Sequence, residues 1–156
     1  MIKVMFVCHG NICRSPMAEF IMKKLVSEAG LSDSFCITSS ATSTEELGNP
    51  VYPPARSELA KHGIGCAGKS AVQLRKTDYE KYDYFIGMDT ANIRNMNSIF
   101  GSDPNEKIYK LLTFAGRVTM SQTRGTAAIL VQLTQILRKG ARGSSVTYNA
   151  FEIFYQ

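Results

Sequence analysis

The stretch KVMFVCHGNICRSP occupies residues 3–16 and decides the fold. Residues 3–8 are almost entirely apolar and include β-branched and aromatic side chains, which predicts a buried parallel strand. A short turn containing Gly10 and Asn11 follows. Ser15-Pro16 is then typical of an N-cap and the first turn of a helix, which the apolar spacing extends to Gly30. The stretch therefore predicts a strand, a tight turn and a helix in direct succession.

The rest of the chain alternates strand and helix patterns. Three apolar runs predict further strands, at residues 35–38, 82–88 and 107–112. Two helical patterns lie at residues 55–62 and 90–96. Gly63 is expected to end the first of these helices, and Asp89-Thr90 to cap the second. This alternation predicts a single α/β domain over residues 1–156, a three-layer sandwich with a four-stranded parallel sheet and helices on both faces.

Length and composition are those of an ordinary globular protein. The chain has 156 residues, of which 44% are apolar and 20% charged. Its first apolar run is too short for a signal peptide or a membrane span, so we expect a cytoplasmic protein that does not bind membranes. Because no export signal is present, the cysteines are expected to be reduced thiols; they are Cys8, Cys13, Cys36 and Cys66.

The net charge of +5 is confined to the last third of the chain. Residues 1–106 carry eleven Lys and Arg against twelve Asp and Glu, whereas residues 107–156 carry seven against Glu152 alone. A basic tail can bind nucleic acid, and residues 126–142 have the spacing of a basic amphipathic helix that suits membranes or acidic partners. A merely basic tail is the simpler interpretation, and we expect no nucleic-acid partner.

The segment from Cys8 to Ser15 has the spacing of a phosphoryl-transfer site. The loop between strand and helix can wrap its N–H groups around a tetrahedral oxyanion, and the helix N-terminus adds positive charge there. The same amides favour the thiolate of Cys8, the expected nucleophile. Arg14 can donate two N–H bonds to phosphate, and the Ser15 hydroxyl can both stabilise the sulfur and cap the helix. We expect Cys8, Arg14 and Ser15 to be catalytic and His9, Gly10, Asn11, Ile12, Cys13 and Arg14 to bind phosphate.

Two features of the cysteine-containing segments leave alternatives open. Cys13 is either a small apolar filler or a redox partner that forms a reversible disulfide with Cys8 and prevents its over-oxidation. Residues 63–70 read GIGCAGKS and match a nucleotide-binding pattern. Because a helix, not a buried strand, is predicted to end at Gly63, a helix stop followed by a loop is the better interpretation.

Residues 4–19 resemble the active-site signature of the low-molecular-weight protein tyrosine phosphatases, and the resemblance extends over residues 1–117. It implies hydrolysis of phosphotyrosine proteins or small aryl phosphates through a cysteinyl-phosphate intermediate, with no metal and no other cofactor. It also implies that Asn11 and Ser39 orient the loop. We expect a monomer or a weak dimer.

Several positions bear on the substrate. Ile12 stands where similar protein-arginine phosphatases carry threonine, which favours a tyrosine substrate. Arsenate reductases share the loop but need resolving thiols further along, and no cysteine follows Cys66. Glu45 departs from the family's pattern, because many members have an aromatic residue there. Lys69 and Val72 likewise replace a common His and Arg.

The general acid is unassigned. The resemblance implies an aspartate in a late Asp-Pro loop, but no such pair follows Asp103-Pro104, and Glu152 is the only carboxylate after Glu106. Loss of a positioned acid typically reduces the rate by about 10²–10⁴. The alternative function is therefore a catalytically impaired module that binds phosphate or phosphotyrosine.

A change of reading frame near Val118 explains the missing loop, and we state it as a hypothesis that makes residues 118–156 an atypical tail. Codons built from the last base of one residue and the first two bases of the next permit Asp-Asp-Val-Ala-Asp-Pro-Trp-Tyr over residues 118–126. The shifted frame contains the expected Asp-Pro pair. The basic tail is then a product of the frame rather than a binding surface.

Overall fold

A computed structural model of the chain describes residues 1–111 and contains four strands and three α-helices in that part. The strands are β1 (Ile2–Cys8), β2 (Phe35–Ala41), β3 (Tyr84–Gly87) and β4 (Ile108–Lys110). The helices are α1 (Arg14–Glu28), α2 (Pro53–Lys61) and α3 (Thr90–Phe100). All strand pairs are parallel, in the order β2-β1-β3-β4. The predicted α/β fold with a four-stranded parallel sheet is confirmed.

Alternate side chains of β1 enter two separate cores. Val4 and Phe6 join the core formed with α1 and α2, whereas Met5 and Val7 pack on the opposite face of the sheet. The second core includes Met96 and Phe100 of α3 together with Phe85 of β3. A central strand covered on both faces must be apolar throughout, which is why β1 shows no polar alternation. The helices therefore lie on both faces of the sheet, as predicted.

Strand register brings three carboxyl ends to one edge of the sheet. Cys8 pairs with Ala41 on one side, and Val7 pairs with Gly87 on the other. A Cβ at Gly87 would lie 2.9 Å from the side chains of Ile93 and Met96, so glycine permits the close approach of α3. Loops that leave parallel strands at this edge are the usual place for a ligand site.

The helix boundaries correct one prediction. Helix α1 begins at Arg14, its N-cap is Cys13, and no side chain makes the cap hydrogen bond. Ser15 therefore does not cap the helix, because it is already the second helical residue and its hydroxyl bonds elsewhere. Asp89 does cap α3, accepting a 2.8 Å bond from the backbone N–H of Asn92. The structure also extends β2 to Ala41 and α3 to Phe100, beyond the predicted ends.

Other sequence predictions concern the remainder of the chain. The helical spacing at residues 126–142 and the reading-frame hypothesis for residues 118–156 lie outside the described residues. Within residues 1–111, none of the helices has the length and apolar character needed to cross a membrane.

Candidate active site

The sulfur of Cys8 lies at the end of β1 and receives polar contacts from two directions. Its Sγ is 2.9 Å from Ser15 Oγ, and the backbone N–H of Asn11 donates to it over 3.3 Å. Cys8 itself is only 3% exposed. The loop of residues 9–13 has therefore turned back over the strand end, and the N-terminus of α1 adds positive charge to the same place.

Two carbonyl groups of the loop accept hydrogen bonds from segments outside the loop. The oxygen of His9 accepts from the backbone N–H of Ser43 over 3.0 Å, and that of Ile12 accepts from Tyr52 over 2.7 Å. In a planar trans peptide the N–H points opposite to the C=O of the same unit. The N–H groups of Gly10 and Cys13 therefore face away from these outer segments, which is the arrangement needed to surround an anion.

Asn11 holds the loop through both ends of its amide. Its Nδ2 donates to Ser15 Oγ and to Ser39 Oγ, each over 2.8 Å, and its Oδ1 accepts from the backbone N–H of Val72 over 3.1 Å. Its φ of +57° lies in the left-handed region, which asparagine tolerates better than most residues. Asn11 thus connects the loop to β2 and to the segment after α2.

Arg14 is paired with a residue that the sequence analysis did not connect to it. Its Nη1 lies 2.6 Å from Asp89 Oδ2, while Asp89 Oδ1 caps α3. Burial alone raises the pKa of Asp89, but hydrogen bonds from Arg14 and from the amide of Asn92 outweigh it and hold that pKa below its ordinary value. Asp89 therefore remains a carboxylate that orients the guanidinium. Its place at the end of β3 was the one signal in the sequence that could have indicated this contact.

A second loop, which contains Glu45 and Glu46, packs against the outside of the loop of residues 9–13. His9 Nε2 and Glu45 Oε2 are 3.0 Å apart, and both side chains are more than half exposed. A Cβ at Gly10 would lie 3.1 Å from Glu46 Cγ, so glycine leaves room for this loop. Glu45, which stands where the resemblance implies an aromatic residue in many members, therefore pairs with His9 at the rim of the site.

Cys13 is a half-buried free thiol at the N-cap position of α1. Burial is the main cause that raises the pKa of Cys13, a negative charge on Cys8 raises it further, and Arg14 opposes both. At neutral pH Cys13 is therefore held as a thiol. Its role as a redox partner stays a prediction.

The nucleotide-like pattern has the context of a loop. Gly63 follows α2 with a φ of +69°, and residues 63–70 follow a helix rather than a strand. The Lys69 ammonium points inward, donating to the backbone oxygen of Ser39 over 3.0 Å and lying 3.2 Å from Glu19 Oε2. Lys69 is therefore part of the support beneath the loop, a connection that the sequence analysis missed.

The fold and the loop define an α/β protein with a cysteine and an arginine at either end of the turn between β1 and α1. A family model described as low molecular weight phosphotyrosine protein phosphatase matches residues 3–124. The chain belongs to this family. A mouse protein named low molecular weight phosphotyrosine protein phosphatase is 46% identical over 94 residues, which cover 60% of this chain and 59% of the relative. The chain thus spans about three fifths of the length of that relative.

Two bacterial relatives match over more of the chain. Low molecular weight protein-tyrosine-phosphatase YfkJ of Bacillus subtilis is 38% identical over 114 residues, 73% of either chain. The crystal structure of YfkJ superposes with a TM-score of 0.81 at 31% identity, covering 89% of this chain and 94% of that one. The low molecular weight protein tyrosine phosphatase SP-PTP of Streptococcus pyogenes gives 0.79 at 36% identity, covering 89% and 93%.

Proposed function

We propose that the chain is a protein tyrosine phosphatase that hydrolyses phosphotyrosine through a cysteinyl-phosphate intermediate. The observation that carries the proposal is the position of Cys8 Sγ, 2.9 Å from Ser15 Oγ and 3.3 Å from the Asn11 amide, at the base of the loop that ends in Arg14. Its substrates are phosphotyrosine proteins or small aryl phosphates. The names and the folds of the relatives support this choice.

In the first step the thiolate of Cys8 attacks phosphorus in line with the bond to the phenol oxygen. The S–P bond forms, the P–O bond breaks, and its electron pair leaves on the phenol oxygen, which takes up a proton. Charge on the three remaining oxygens is held by the loop amides and by the Arg14 guanidinium, which Asp89 orients.

In the second step water attacks the cysteinyl phosphate, and the S–P bond breaks. The electron pair returns to sulfur, where the Ser15 hydroxyl and the Asn11 amide stabilise it as the leaving group. The products are inorganic phosphate, the phenol and free Cys8. Every atom comes from the ester, from water and from this thiol, so the balance requires no cofactor.

The proton donor for the leaving group is not assigned to a residue. Asp89 is unsuited because its pKa is lowered and its carboxylate is bound by Arg14. The scarcity of carboxylates after Glu106, where Glu152 stands alone, favours a second candidate function. In that case the chain binds phosphate or phosphotyrosine in the same loop and turns it over slowly.

Turnover of an activated aryl phosphate and of phosphotyrosine tests the proposal. The activated ester has a good leaving group, so it is expected to react even where the general acid is missing. Cys8→Ser should reduce turnover of both substrates to the buffer background, while Cys36→Ser, distant in sequence and lying in β2, should not. Inorganic phosphate binding without turnover of either ester would instead favour the binding module.

A further inference from the structure

Glu19 is a buried carboxylate one turn after Ser15 on α1. It is 4% exposed, and its Oε2 accepts a 2.5 Å hydrogen bond from Ser39 Oγ. Lys69 Nζ lies 3.2 Å from Oε2, and Lys23 Nζ lies 2.5 Å from Oε1. A buried charge is unfavourable unless it is paired, and here two ammonium groups pair it.

The carboxylate fixes the direction of the next hydroxyl. An ionised carboxylate only accepts hydrogen bonds, so the hydrogen of Ser39 must point at Glu19. The lone pairs of Ser39 Oγ are then free to accept from Asn11 Nδ2 over 2.8 Å. At the other end of the amide, the Val72 backbone N–H only donates, and it meets Asn11 Oδ1. With an obligatory acceptor at one end and an obligatory donor at the other, the Asn11 amide has one favourable orientation.

The oriented amide in turn directs the Ser15 hydroxyl. The second hydrogen of Asn11 Nδ2 is donated to Ser15 Oγ over 2.8 Å, which occupies the oxygen as an acceptor. The Ser15 hydrogen is then left to point at Cys8 Sγ, 2.9 Å away. A hydrogen bond to a charged group is among the stronger ones in a protein, so this contact favours the thiolate.

We propose that Glu19, held in place by Lys69, is a positioning residue that directs the Ser15 hydroxyl toward the sulfur of Cys8. The effect passes through Ser39 and Asn11, and Glu19 itself touches neither substrate nor sulfur. The inference rests on the proposed function only in that Cys8 is the nucleophile. Lys69 contributes by pairing the carboxylate and by donating to the Ser39 backbone oxygen, which fixes both partners of the short hydrogen bond.

Alkylation of Cys8 as a function of pH tests the inference without turnover. The full chain is treated with iodoacetamide across a pH series, and fragment-ion mass spectrometry follows the labelling of Cys8 separately from that of Cys13, which lies in the same tryptic peptide. Glu19→Met removes the acceptor, so the Ser39 hydroxyl loses its fixed direction. The pH midpoint of Cys8 labelling should then rise by about one unit, since one pKa unit corresponds to an effect of the size of one such hydrogen bond.

Matched variants distinguish a lost orientation of the hydroxyl groups from a general loss of structure. Glu58 is also a buried helical glutamate, 3.2 Å from Lys61, but it lies on α2, so Glu58→Met should leave the midpoint unchanged. Glu19→Gln keeps an oxygen that accepts from Ser39, so its labelling midpoint should stay near that of the parent protein. Should Glu19→Met fold poorly, Ser39→Ala is expected to raise the midpoint and Ser40→Ala, whose hydroxyl contacts Met5 instead, is not.

The outcomes distinguish this inference from the proposed function. Raised midpoints for Glu19→Met and Ser39→Ala, with unchanged midpoints for the Glu58 and Ser40 variants, support the positioning role. A Glu19→Met profile that coincides with the Glu58→Met profile, or equal shifts in the Met and Gln variants of Glu19, would overturn it. Absence of turnover in the parent protein would defeat the proposed function alone, because the labelling profile does not depend on it.

Discussion

Arg14 and Asp89 form an ion pair, with Nη1 and Oδ2 2.6 Å apart, that joins the end of the loop of residues 9–13 to the start of α3. Their side chains are 35% and 43% exposed, so the pair adds little to stability. The pair instead orients the Arg14 guanidinium, because Asp89 is itself fixed by capping α3. In the proposed function, a guanidinium already held by Asp89 would lose less conformational freedom on binding phosphate.

Asp89→Asn is expected to impair catalysis more than stability. Asparagine is as good an N-cap as aspartate, so the cap of α3 is retained, while Arg14 loses its charged partner. We expect kcat/KM for an activated aryl phosphate to fall about tenfold, with the free energy of unfolding changed by less than about 1 kcal/mol. Steady-state kinetics and urea unfolding measure the two effects. Asp83→Asn is the control, since Asp83 accepts from the Lys3 amide rather than from Arg14; equal kinetics in both variants would contradict the role of Asp89.

Asn11 combines a backbone and a side-chain requirement, and two substitutions separate them. Both Asn11→Gly and Asn11→Ala lose the contacts with Ser15, Ser39 and Val72, so both should lose more than about tenfold in kcat/KM. Only alanine is strained at a φ of +57°. The free energy of unfolding of the alanine variant should therefore be about 1 kcal/mol lower than that of the glycine variant. Equal stabilities in urea unfolding would show that the left-handed conformation is not maintained in the variants.

Local signals in the sequence predicted most of the fold. The apolar run of β1, the glycine after α2 and the Asp89 cap each depend on neighbours within a few residues, so they can be read without knowing the tertiary structure. The placement of Asn11 and Ser15 around the sulfur of Cys8 is also local, because all three residues lie close together in the sequence. The parallel pairing of the strands followed from the alternation of strands and helices, whereas the order β2-β1-β3-β4 is known only from the structure.

Contacts between distant segments could not be predicted. Arg14 and Asp89 are separated by 75 positions, and Lys69 meets Glu19 across 50. The place of Asp89 after β3 was the only signal for its contact with Arg14. No signal near Lys69 indicates Glu19, because an exposed lysine and a buried one look alike in a sequence. Ser15 was wrongly expected to cap α1 because Ser-Pro is a common start of helices, whereas here the hydroxyl is used by Cys8 and Asn11.

Asp103 is expected to make stability depend on acid pH. Its carboxylate accepts from the Tyr79 hydroxyl over 2.6 Å and from the Lys107 and Ile108 amides. Burial alone raises the pKa of Asp103, but these donors outweigh it and hold the pKa below its ordinary value. The unfolded chain therefore binds this proton more readily, with a pKa of about 3.9. The contribution is present above that pH and is lost as the pH falls through the folded value.

Urea unfolding in a series from neutral pH to below pH ~4 checks the contribution of Asp103. The free energy of unfolding of the parent should fall across the acid end of the series. Asp103→Asn should be less stable at neutral pH and show a shallower fall, while Asp33→Asn, at an exposed position, should follow the parent. Parallel curves for parent and Asp103→Asn would refute the assignment.

Cys13 is expected to protect Cys8 from irreversible oxidation. Because its pKa is raised, Cys13 remains a thiol while peroxide oxidises the Cys8 thiolate to a sulfenic acid. Condensation of the two then forms a disulfide and releases water. Activity lost to hydrogen peroxide should return with dithiothreitol in the parent and in Cys36→Ser, but not in Cys13→Ser, where mass spectrometry should find a sulfinic acid at Cys8. Full recovery of Cys13→Ser would rule out the protective role.

The reading-frame hypothesis for residues 118–156 makes a prediction about peptides. If the frame changes near Val118, the gene encodes an Asp-Pro pair that supplies a candidate general acid, and active protein should yield tryptic peptides containing it. The tail as written would instead yield GTAAILVQLTQILR, residues 125–138, after cleavage at Arg124. The peptide SPMAEFIMK, residues 15–23, is common to both frames and serves as the internal standard. Detection of the written tail peptide at the same level as this standard, in protein that turns over phosphotyrosine, would end the hypothesis and require the proton donor to come from elsewhere in the chain.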